Sequence, residues 1–169
     1  MQLQVLRRVS LVLLTLPLAL ATNQAEIHQE IHEAITTLQN SVSSYQGGLS
    51  GIPSLIVAMK DTWTARNKVE AYAASHPTLS EEDCAVAEDP SHELTNEMVD
   101  LLHLGREKIP SIAAVGKKAV AQSLIRPMYE HDTAYLNGLL SKCPDQAATI
   151  QDNINKITTA YEALLEATA

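Results

Sequence analysis

Apolar residues recur along this chain at steps of three and four, the period of an α-helix with one buried face. The first stripe is Ile27, Ile31, Ala34/Ile35, Leu38, Val42 and Tyr45, with Glu26, Glu30, Glu33 and Asn40 on the other side. It predicts a helix over about 24–46. Gly47-Gly48 stops it, because glycine tolerates a left-handed cap. A second stripe, Ile52, Ile56, Met59, Trp63, Arg66 and Ala73 with Leu55 and Val69 beside it, predicts a helix from Pro53 to His76-Pro77. Ser80-Glu81-Glu82-Asp83 reads as the next start, a capping hydroxyl followed by acids where the helix dipole is positive.

Asp89-Pro90 is expected to interrupt that segment soon after Cys84. A longer helix then runs from Pro90 to about Glu107, lined by Leu94, Met98, Leu101, Leu102 and Gly105 and closed by Ile109-Pro110. The fourth segment spans Ser111 to about Lys142, with Ile112, Val115, Ala119/Val120, Leu124, Met128, His131, Tyr135 and Leu139 on its stripe. Pro127 inside it predicts a kink or a break into two helices, since proline removes a hydrogen bond and crowds the preceding turn. Cys143-Pro144 ends it. The last helix, about Asp145 to Ala167, carries Ile150, Ile154, Ile157, Tyr161 and Leu164/Leu165. Strand-like alternation is missing. Five amphipathic stripes with short connections predict an all-α antiparallel bundle of about five helices in one domain.

The N-terminus changes the compartment. Arg7 and Arg8 precede an apolar run from Val9 to Leu20, shorter than the ~20 residues a membrane span needs. Ala19-Leu20-Ala21 supplies small residues for cleavage, so residues 1–21 read as a secretory signal and 22–169 as the domain. No later run is apolar enough to span a bilayer, the C-terminus lacks the hydrophobic tail of a lipid-anchor signal, and there is no Asn-x-Ser/Thr sequon. Outside the cell Cys84 and Cys143 are expected to form one disulfide.

Charge narrows the partners. The whole chain carries a formal −8, and losing Arg7 and Arg8 makes the domain more acidic still. Nucleic acid and anionic membranes both demand basic surfaces, so neither is expected as a partner. The core is unusual in its filling. There is no Phe and one Trp, so five helices meet largely through Ala, Ile, Leu and Val. Such a seam can leave an apolar void that stays dry and accepts an apolar guest.

At this point the residues resemble a known group. An opening helix ends in Ser44-Tyr45-Gln46-Gly47-Gly48, an Ile/Leu-rich helix follows, and the next closes with Leu101 to Gly105 and Lys108-Ile109-Pro110. With the secretion signal, this pattern resembles the fungal hydrophobic surface-binding protein A family, which includes cell-wall galactomannoproteins. The resemblance implies a small helical bundle, secreted or loosely wall-associated, that binds hydrophobic material. That material is a fatty acid or similar lipid held internally in some members, and a solid hydrophobic surface in others. Recruitment of a secreted esterase is also implied. The chain lacks the Ser/Thr-rich stalk of some wall-bound members, which argues against covalent wall attachment.

Candidate chemistry sorts against that background. His28 and His32 stand one turn apart, but Glu30 is not at the metalloprotease position, and a solvated polar face is the expectation. In Gly47-Gly48-Leu49-Ser50-Gly51 the last glycine follows the serine directly, unlike a nucleophile elbow, and no strand precedes it. No catalytic constellation, cofactor or metal site emerges. Ligand contacts are expected from Tyr45, Met59, Met98, Leu102, Val120, Leu124, Met128, His131, Tyr135, Ile154 and Tyr161. The methionines adapt to varied apolar shapes. His131 is expected either to be satisfied within the core or to anchor a ligand carboxylate with Tyr135 or Tyr45. About a dozen buried methylenes at ~0.8 kcal/mol each yield roughly 10 kcal/mol. Set against association costs of at least ~4 kcal/mol, this permits micromolar binding. The main alternative is an interfacial adsorber whose helices open onto a hydrophobic surface.

Overall fold

The computed structural model describes residues 26–75 and 78–169. The signal segment 1–21, His76-Pro77 and the side chains of Val69 and Ala73 lie outside them. Helix α1 covers 26–44, α2 Ile52–Ser75, α3 Glu81–Ala114, α4 Lys118–Lys142 and α5 Ala147–Thr168, with a single 3-10 turn at Pro144–Gln146 before α5. The fold is an all-helical antiparallel bundle, and α5 packs against both α3 and α4. No helix among the described residues is long and apolar enough to cross a membrane.

The predicted ends hold where glycine sets them. Gly47 and Gly48 have φ of 92° and 85°, the left-handed conformation that turns the chain out of α1. The prolines mislead. The expected interruption at Asp89-Pro90 and the expected stop at Ile109-Pro110 do not occur, and α3 runs as one helix through both prolines to Ala114. A proline inside a helix costs ~3 kcal/mol. Burial of Leu101, Leu102 and Ile109 along one face offsets it at ~1.5–3 kcal/mol per side chain. The chain turns instead at Gly116, φ 70°, so the predicted fourth segment is divided between the end of α3 and α4. Pro127 lies inside α4, and helix continues on both sides of it.

In α4 the buried line is Ile125, Met128, Asp132, Leu136 and Leu139; it keeps the predicted Met128 and Leu139 and takes Ile125, Asp132 and Leu136 in place of their neighbours Leu124, His131 and Tyr135. In α2 the buried line is Leu55, Ala58, Thr62 and Ala65, with Met59, Trp63 and Arg66 at its border. The stripes of α1 and α5 face inward largely as predicted, through Ile31, Ile35, Leu38, Ile150, Ile157, Tyr161 and Leu164.

One charged group lies deep in this core. Asp132 is 5% exposed and accepts hydrogen bonds from the Arg66 guanidinium on one oxygen and the Tyr161 hydroxyl, at 2.6 Å, on the other. The three residues tie α2, α4 and α5 together. Burial works against the Arg66 charge, but the adjacent carboxylate outweighs it and raises the guanidinium pKa further. Burial, reinforced by Asp132, pushes the Tyr161 phenol well above its usual 10, against the pull of Arg66. Burial likewise pushes Tyr135 up to about 12, with Arg66 opposing.

The two cysteines pair as expected, with Cα atoms 5.6 Å apart. The bridge joins the start of α3 to the end of α4 over a small apolar cluster with Leu139 and Ile150. The opposite end of the bundle, where α1 ends and α2 begins, has no covalent tie.

Three outcomes follow from this packing. Reducing the Cys84–Cys143 bridge, which closes a loop of 59 residues, should lower the unfolding free energy by about 4 kcal/mol in urea titrations. Asp132→Ala should cost about 3–5 kcal/mol, because it strands a buried guanidinium, and pairing it with Arg66→Met should recover part of that loss. Below pH 10 both phenols are protonated in folded and unfolded chains, so they add no pH dependence. From pH 10 to about 12 the unfolded chain loses those protons first, so stability should fall. Tyr135→Phe should flatten that alkaline limb in thermal melts, and an unchanged limb would contradict the assignment.

Candidate functional site

Among the described residues, two spaces lie on either side of the Arg66–Asp132–Tyr161 network, which lines one through Arg66 and Asp132 and the other through Tyr161. The first is a cavity of about 90 Å³ in the half of the bundle away from the disulfide. All five helices line it. Leu38 and Val42 come from α1, Leu55 and Met59 from α2, and Ala121, Ile125 and Met128 from α4. From α5 come Tyr161 and Leu164, while α3 gives a continuous wall from Met98 through Leu102, Gly105 and Lys108 to Ile112. That wall is ~21 Å long at 1.5 Å per residue. Apart from Lys108, the lining carries no formal charge.

The second space, about 50 Å³, is polar on one side. Arg66, Asp132, His28, His131 and Thr95 face Ile31, Leu94, Leu136 and Ile157 there. Burial lowers the His28 pKa, which keeps the ring neutral near pH 7. His32 pairs with Glu97 of α3 at 2.7 Å. The expected solvated face is therefore only partly so, since His28 turns into this space while His32, 45% exposed, pairs with Glu97 of α3. Among the described residues no three His, Cys, Asp or Glu side chains gather as a metal site requires.

A third hollow, about 220 Å³, is a groove between α2 and α4 lined by Met59, Lys60, Trp63, Thr64, Leu124 and Met128. Met59 and Met128 belong to both this groove and the apolar cavity. They form the wall between outside and inside.

Of the residues expected to touch a ligand, Met59, Met98, Leu102, Met128 and Tyr161 line the apolar cavity, and Leu124 lines the groove. His131 and Tyr135 line the polar space instead. The His131 ring nitrogen Nε2 lies 3.0 Å from the Asn67 side-chain oxygen, and the ring leans on Trp63. Three expected residues line none of these spaces. Tyr45 closes the α1–α2 turn, its hydroxyl donating to the Gly48 carbonyl at 3.1 Å and its ring lying over Gly51. Val120 is 37% exposed on the outer side of α4. Ile154 bridges the main core and the disulfide cluster. The sequence reading missed Asp132, because an acid on an apolar face argues for the opposite face. It also missed Ile109, because Pro110 was read as the end of the helix, and Ile125, because its neighbour Leu124 was taken for the inward residue.

No protein-family model matches the chain, and no curated protein matches it by sequence. Solved structures do match in fold. Ligand binding domain 1 of the Penicillium marneffei MP1 protein, complexed with arachidonic acids, superposes with a TM-score of 0.78 at 16% identity, covering 86% of this chain and 95% of that one. Domain 2 of the same protein, complexed with multiple arachidonic acids, gives 0.78 at 17% identity, with 88% and 95% covered. AFMP4P in complex with palmitic acid gives 0.82 at 17% identity, with 88% and 99% covered. At these identities the likeness establishes that this chain has the same helical fold as those ligand-binding proteins.

Proposed function

We propose that this protein is a secreted carrier that holds a fatty acid or similar apolar molecule between its helices. The observation that supports it most is the cavity framed by all five helices, apolar except for Lys108. The same fold holds arachidonic or palmitic acid in the solved structures. Residues 1–21 would direct secretion. Of the activities that the resemblance implies, internal lipid binding is the one that this cavity supports. Adsorption to solid surfaces and esterase recruitment have no feature here that favours them.

The cavity must enlarge to take a long chain. An engineered apolar cavity of ~150 Å³ holds benzene, and this one has about 90 Å³. Met59 and Met128 supply the room. Methionine is unbranched and changes rotamer readily, and turning these two aside would join the cavity to the groove outside. The covalent bridge lies at the other end, so the α1–α2 end can loosen without breaking it.

Gly105 separates ligand binding from stability. A Cβ there would meet Leu164 at 3.8 Å, an ordinary contact, while a longer side chain would project into the cavity. Gly105→Ala should keep uptake of a fluorescent fatty acid and stabilise the helix by up to ~1 kcal/mol. Gly105→Met should hold its melting temperature and lose uptake at least tenfold. Saturable uptake in Gly105→Met equal to wild type would contradict binding in this cavity.

A further inference from the structure

We propose that Lys108 is the anchor for the ligand's acidic head group, which makes this a site for fatty acids rather than for neutral lipids. The inference rests on the carrier reading above and adds the ligand's orientation and chemical class. Lys108 is the single formal charge on an otherwise apolar lining, and it is half-buried at the rim. Its Nζ donates to the carbonyls of Ser43 at 3.2 Å and Tyr45 at 3.0 Å. Those carbonyls end α1, where helix oxygens lack partners and the dipole favours a cation. An ammonium has three N–H donors. Two are held by α1, so the nitrogen is fixed in place, and the third remains for an incoming oxygen.

The other end of the cavity offers no such donor. The Tyr161 hydroxyl gives its proton to Asp132 at 2.6 Å, and the Arg66 charge is matched by the same carboxylate. A carboxylate pushed to that end would meet Asp132 behind the phenol and would be buried without a countercharge, which is prohibitive. The head group therefore belongs at Lys108, with the tail running inward along α3 to Met98. Those two residues are ten positions apart, or ~15 Å of helix.

The test is displacement of a neutral apolar dye, N-phenyl-1-naphthylamine, by palmitic acid and by hexadecanol, above the pH where the acid ionises. Wild type should be displaced by the acid at a concentration at least tenfold lower than by the alcohol, as a charge-assisted hydrogen bond gives. Lys108→Met should close that gap by weakening the acid alone, and Lys108→Arg should keep it. A gap that survives in Lys108→Met would overturn the anchor. So would an equal loss of acid and alcohol in a variant that melts like wild type. Wild type that takes up neither dye nor acid would remove the carrier reading as well, so the two failures are told apart.

Discussion

The pairing of Arg66 with Asp132, completed by the Tyr161 hydroxyl, organises the interior of this bundle. An isolated charge at that depth would be untenable, so the three groups must stay together. Holding them together fixes α2 against α4 and α5. It also divides the inside of the molecule. On one side lies a small space with two histidines and a threonine; on the other lies a space walled mostly by Leu, Ile and Met. The apolar compartment is thus bounded at its inner end by Tyr161, whose hydroxyl proton is already given to Asp132.

The missing bulk of phenylalanine leaves that compartment open. Small residues such as Ala58 and Ala160 are buried in the core, and α3 and α4 pack chiefly against α5 rather than against each other. What fills the outer wall is methionine, the side chain that yields most readily. The disulfide clamps the far end, and the cavity end is held by packing and hydrogen bonds without a covalent link. That arrangement would suit the proposed carrier, which must stay folded while admitting a long, flexible guest.

Much of this fold was legible in the periodicity of the sequence, and the misplaced helix ends share one cause. Helices α1 and α5 contain no proline, and their buried faces follow the predicted stripes. Pro90 and Pro110 were read as boundaries, although α3 carries enough buried Leu and Ile to run through both. That moved the start of α4 from Ser111 to Lys118. Asp132 was hidden for another reason, since an acid is expected to face away from a core, and its partner Arg66 was visible only as an odd charge on an apolar stripe. The methionines of the site were legible because they recur on three stripes. Lys108 was not, because a lysine at the end of a helix ordinarily faces water.

The central claim is that an apolar chain resides inside the bundle. Native mass spectrometry of protein secreted from a eukaryotic host tests it most directly. The account predicts a folded monomer mass increased by one or more bound fatty acids, released on denaturation. A folded protein of bare mass that gains nothing after incubation with palmitate would contradict it.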